Sequence, residues 1–253
     1  MHFWRLLIPL LIAAVSFSGC RPDKNKKATF ILDVKAMVGD SILVLGQTYL
    51  NDQQYKFSIE KLRLYVSHLV LVREDGSEYE VNDVAFLNFE NNHSTPSMQG
   101  EEVSGTVEEG TYKAVRFAVG VDSARNFQDP GQYTRSHPLS IYNGMHWNWN
   151  TGYIFFMIEG RTDSVPHGNG TLDKAIVYHI GTQPLYRAVR FDQNFTIGGE
   201  TTHRFRLKLD INRVFSSPGD TINPASEGVT QTMENFPLAE RVADHFSEAF
   251  MPR

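Results

Sequence analysis

Cysteine occurs once in this chain, at position 20. A lone thiol closes no internal disulfide. Once it is consumed by modification, no thiolate is left for zinc, iron–sulfur or blue-copper ligation, and no cysteine nucleophile remains. Long apolar runs are also missing. The most nearly unbroken one, Leu6 to Val15, is about ten residues, too short for a permanent membrane helix. There is no basic excess: a net charge of −5 and a pI near 6.0 argue against nucleic acid as the partner. HExxH, a close His-x-His pair, Gly-x-Ser-x-Gly, the P-loop and the Rossmann fingerprint are all absent. No base–nucleophile pair stands out, so the chain reads as a binding protein and not an enzyme. Tryptophan is scarce, with three residues in all. Trp147 and Trp149 stand two positions apart in Gly144-Met145-His146-Trp147-Asn148-Trp149-Asn150-Thr151-Gly152-Tyr153. A thioether, an imidazole and two oxidisable rings crowd that segment, which otherwise reads as an aromatic core plug.

The N-terminus reads as an export signal. His2 and Arg5 precede the apolar run, and Phe17-Ser18-Gly19-Cys20 resembles a bacterial lipobox. The expectation is a lipoprotein signal peptide over 1–19, cleavage before Cys20, and lipidation of its thiol. A polar tether over 20–27 follows. Arg21 in place of Asp resembles an outer-membrane sorting pattern, facing the periplasm or the cell surface.

Residues 28–253 read as one all-β domain, a two-sheet antiparallel β-sandwich with a short C-terminal helix. Alternation marks strands at Ala28–Ala36 and His203–Ile211; Ser41–Leu45, Lys61–Val72, Glu80–Phe89, Thr111–Val121, Ile154–Ile158 and Ala175–Ile180 add others. Asp75-Gly76 suits a tight turn. Leu238, Val242, Phe246 and Phe250 repeat at helical spacing behind Asn235 and Pro237. Asn91–Glu108 and Asn126–Asn150 read as long loops, which in a compact domain are functional or mobile. Asp122, Asn126 and Asp129 lack the spacing of a calcium loop and fit Asx-turns better. Glu101-Glu102 and Glu108-Glu109 read as solvated loop carboxylates.

Any metal site must be assembled from distant histidines. His179 closes its strand beside Gly181 and is the first candidate. His203 starts the apolar face of its strand. His68 sits mid-strand, where burial is expected, and His137 precedes Pro138. His93 and His167 read as solvated, and His245 as structural.

The tryptophan segment resembles the Met-x-Trp-x-Trp-x-x-Gly-Tyr signature of the MbnP-like copper-binding family. Gly120-Val121-Asp122, Ser136-His137-Pro138-Leu139, Tyr178-His179-Ile180-Gly181 and Tyr65-Val66-Ser67-His68-Leu69 resemble further family segments in the same order. The resemblance covers nearly the whole chain from about Ala28. It implies a periplasmic or surface sandwich that holds copper, as Cu(I), through histidines and a kynurenine. The kynurenine is made from tryptophan by a partner diheme protein of the cytochrome c peroxidase type. Opening the indole yields an aryl amine and a ketone, donors that tryptophan lacks. Trp149 and Trp147 are the oxidation candidates, expected to share one face with Met145 and Tyr153. His179 is the first ligand, and the second is His137, His68, His203 or His146. Met145, Asn148, Asn150 and Tyr153 are candidates for orienting the ligands. Two other readings use the same residues: a surface lipoprotein that grips a glycan or protein through exposed aromatics, and a hydrolase built on a loop histidine.

Overall fold

A computed structural model describes residues 26–91, 100–147 and 152–253. The signal segment, Cys20, His93, Asn148, Trp149 and Asn150 lie outside the described residues. Nine principal strands run as β1 (Lys27–Val38), β2 (Lys56–Arg73), β3 (Glu78–Asn88), β4 (Glu101–Glu108), β5 (Gly110–Val119), β6 (Ile154–Thr162), β7 (Lys174–Gly181), β8 (Arg187–Ile197) and β9 (Thr202–Asp210). One long helix, α1 (Phe236–Glu248), follows. Among the described residues no helix is long and apolar enough to cross a membrane.

The smaller sheet is centred on β1. It pairs β9 in parallel on one edge and β4 antiparallel on the other, and Phe250–Pro252 caps β9. The sandwich is therefore mixed, not purely antiparallel: Val229–Thr230 also pairs β7 in parallel. Two strands were not among those expected. β4 lies inside the stretch expected to be a loop, so Glu101, Glu102 and Glu108 are strand residues. β8 has six exposed side chains among eleven positions, and its apolar stripe of Val189, Phe191, Phe195 and Ile197 is interrupted at Gln193.

The larger sheet is built on β2, whose eighteen residues carry partners along both edges. On one edge lies β3, from Arg63↔Asn88 to Val72↔Glu78. The other edge is shared by two strands end to end: β6 covers Phe57–Leu64 and β5 covers Val66–Arg73. Outside them, β7 flanks β6 and β8 flanks β5. The chain thus runs up β5, leaves the sheet, and re-enters the same edge as β6. Residues 120–153 are an excursion between two collinear strands, and both its ends are fixed at Tyr65.

Between the sheets lies the core. β1 contributes Phe30, Leu32, Val34 and Ala36, all fully buried, against Phe57, Ile59, Leu62, Leu64, Leu69 and Leu71 of β2. Each large apolar side chain stabilises the fold by about 1.5–3 kcal/mol. α1 closes the core side: Asn235 caps it by accepting from the Leu238 N–H at 3.3 Å, and Phe246 stacks on Phe156 at 3.9 Å. The helix ends at Glu248, and Phe250 belongs to the short strand beyond it.

Candidate functional site

The excursion folds over the outer face of the larger sheet, above the seam where β5 gives way to β6. Its local structure follows from short polar caps. Asp122 accepts from the Ala124 N–H at 2.9 Å, Asp129 from Gly131 at 2.8 Å, and Ser140 from Tyr142 at 3.4 Å. These are the Asx- and Ser-turn geometries expected of such residues. Asn126 is buried and its Oδ1 accepts from the Tyr153 N–H at 2.8 Å. Among the described residues the three polar groups therefore hold turns and not a calcium ion.

At the seam the Gly120 N–H donates to the Tyr65 carbonyl at 3.0 Å. Gly120 has φ +119°, and a Cβ there would stand 2.6 Å from the Phe155 ring, so only glycine lets the chain leave the strand here. Tyr65 packs edge-on against Tyr153 at 5.7 Å, and burial pushes the acidity constants of both phenols up. The Tyr153 hydroxyl donates to the Leu139 carbonyl at 2.8 Å. Tyr153 thus pins the loop through its hydroxyl. Arg63 reaches up from β2 and donates to the Asn143 carbonyl at 3.1 Å; desolvation lowers its basicity.

The tryptophan segment pairs with its own continuation. The Trp147 N–H donates to the Gly152 carbonyl and the Ile154 N–H to the Met145 carbonyl. Met145 and Trp147 point into the protein and are buried. Tyr153 sits across from His146, with the rings edge-on at 5.0 Å, so it shares the face of His146 and not that of Met145 and Trp147. Trp147 lies on Gly181: a Cβ on that glycine would meet Trp147 Cη2 at 2.4 Å. Gly181 is two positions after His179 in β7, so both project from the same sheet face. The indole and the imidazole are therefore neighbours along one strand.

His179 is mostly shielded, with 16% of its side chain exposed, and its Nε2 is 2.9 Å from Glu159 Oε1. Glu159 also takes Lys61 at 2.8 Å. Burial raises the Glu159 carboxyl, but hydrogen bonds from Lys61 and His179 outweigh it and hold it below the usual carboxylate range. With Nε2 committed, Nδ1 is the atom of His179 left to bind a ligand. Glu159 is the orienting group that sequence reasoning missed, because nothing in an isolated strand says which residue of the next strand it faces.

Of the other candidate histidines, His203 and His68 stand far from His179, while His137 and His146 belong to the excursion. His137 stacks on Tyr133 at 4.1 Å, and its Nδ1 accepts from the Leu139 N–H. His203 packs against Phe30 and Phe195, opposite the Tyr112 end of β5, roughly 20 Å from the seam by strand rise. Burial lowers its basicity. His245 is buried and held by Val214 and Asp220. His167 is exposed. His68 is not buried. It sits at a β-bulge of β2 with φ +49° and 38% of its side chain exposed. From the pairing Arg63↔Met157↔His179, His68 is roughly 19 Å from His179. Its neighbours are Glu80, Asp83 and Asp122. A cavity of about 470 Å³ opens beside it, lined by Arg116, Gln183 and Tyr186 among others.

No curated protein matches this sequence. Among solved structures, MbnP from Methylosinus trichosporium superposes with a TM-score of 0.55 at 20% identity, over 78% of this chain and 80% of that one. This likeness is one of fold. Residues 27–234 match the family described as MbnP. From the first residue of β1 to the turn before α1, the chain belongs to the MbnP family.

Proposed function

We propose that this protein is a copper-binding member of its family, exported and held in the cell envelope by a lipid on Cys20, at the outer membrane. The observation that carries the reading is the packing of Trp147 on Gly181, which sets an oxidisable ring beside His179 on one sheet face. The donors present fit copper only in part. His179 offers one nitrogen, and with a second imidazole from the excursion the set still lacks the third donor that a kynurenine would supply. Conversion of Trp147 to kynurenine by a diheme cytochrome c peroxidase-type partner would add an aryl amine at this place; Trp149, the other oxidation candidate, lies outside the described residues. His146, adjoining Trp147, or His137, on the same excursion, is the second imidazole.

Copper titration of the chain coexpressed with such a partner tests the reading. Stoichiometric uptake that His179→Ala abolishes, together with kynurenine at Trp147 or Trp149 by peptide mass spectrometry, is the expected result. Intact indoles and no uptake after productive coexpression would overturn it. The chain expressed alone should bind Cu(I) poorly. The glycan- or protein-binding alternative draws on the exposed Phe127 and Tyr142 of the same excursion. Trp147 does not serve it, being buried.

A further inference from the structure

The geometry points to a second metal site, for a borderline divalent cation such as Zn2+, formed by His68, Glu80 and Asp83. One ligand atom from each of the three lies within 4.8 Å of the other two. The imidazole is flanked by carboxylates without being hydrogen-bonded to either. Nδ1 stands 4.0 Å from Glu80 Oε1, and Nε2 stands 3.6 Å from Asp122 Oδ2. Oppositely polarised groups left to themselves close to hydrogen-bond distance. Ligands sharing one tetrahedral ion instead stand about 3.4 Å apart, given metal–ligand bonds of about 2.1 Å.

The charge balance agrees. Glu80, Asp83 and Asp122 bring three negative charges, and Arg125, bonded to Asp122 at 2.6 Å and Asp83 at 2.5 Å, returns one positive. A neutral imidazole then leaves a deficit that a doubly charged ion fills. Roles follow from which oxygens are free. Asp122 already uses both of its oxygens, one on the Ala124 N–H and one on Arg125, so it faces Nε2 at 3.6 Å without serving as a ligand. Nδ1, Glu80 and the free oxygen of Asp83 are the ligands. One nitrogen with two carboxylate oxygens is too hard a set for Cu(I) and too nitrogenous for Mg2+ or Ca2+. The adjoining cavity leaves room for water in the remaining coordination positions.

This site is independent of the copper reading, since it uses neither indole nor His179. It is tested on the mature chain expressed without any partner, its indoles unmodified, by calorimetric titration with Zn2+ and by the visible absorption of added Co2+. The expected result is uptake of one equivalent. His68→Asn, which suits the left-handed backbone at this position, should abolish it. Glu80→Gln and Asp83→Asn should each weaken it roughly tenfold or more. His167→Asn, an exposed loop imidazole, should leave it unchanged. Melting temperatures in the absence of metal confirm that the variants fold. No saturable uptake by the parent chain, or uptake that survives His68→Asn, overturns the proposal.

Discussion

Gly181 shows how much one missing side chain can decide. A methyl group there would occupy the space of Trp147 Cη2 and of the Tyr153 carbonyl. Gly181→Ala should therefore lift the ring from the strand, at a cost of about 1–3 kcal/mol in overpacking. Tryptophan emission should shift to longer wavelength as the indole meets water, and copper retention by the coexpressed protein should fall. Unchanged emission in a folded variant would show that the ring does not rest on this glycine. Glu159 acts at the same scale. Removing its carboxylate with Glu159→Ala leaves Nε2 of His179 unheld, and the expected result is a weaker copper complex with a more heterogeneous spectrum; Glu159→Gln, which can still bond the ring, should restore much of it.

Among elements, α1 depends on a polar lock as well as its apolar stripe. Arg241 grips Asp220 through two nitrogens, at 2.7 and 2.9 Å, and also reaches Glu227; His245 meets the same Asp220 at 3.0 Å. These contacts fasten the hairpin formed by Ser216–Ser217 and Asp220–Thr221 to the helix. The hydrogen bonds from Arg241 pull the Asp220 carboxyl down to about 2. A carboxyl depressed on folding stabilises above its unfolded value near 3.9 and loses that contribution as pH falls through its folded value. The parent chain should thus melt above Asp220→Asn at pH 6 by roughly 2–4 °C, corresponding to about 1 kcal/mol once the exposure of Asp220 is discounted. The gap should narrow steadily between about pH 5 and pH 2. A gap independent of pH would mean that the lock is steric.

At the level of the whole molecule, β5 and β6 are collinear on one edge of β2, and the excursion between them adds Leu139, Met145 and Trp147 to the buried core. Each strand holds its own register on β2. Replacing residues 122–151 by a short Gly-Asn linker should leave a β-rich, cooperatively melting protein by circular dichroism. Its melting temperature should be lower, because Tyr65 and Phe155 lose their cover, and copper uptake should vanish. Loss of the fold itself would show that the excursion is part of the core. The long apparent loop between two apolar strands was legible in the sequence; that the strands on either side are one interrupted edge was not, since register is set by partners far along the chain.

Local chemistry determined much of this protein. The alternation of β1 and β9, the Asp75-Gly76 turn and the cap on α1 all rest on neighbours a few residues apart. The helix ends near its expected limit, at Glu248. Only the tertiary structure decided which histidines share space. It sent His203 to the far end of β5, gave His179 to Glu159, and gathered His68 with Glu80, Asp83 and Asp122. Those groupings depend on strand order and on a bulge that turns one imidazole outward. Both arise from long-range hydrogen-bonded pairing and carry no periodic trace in the residues themselves.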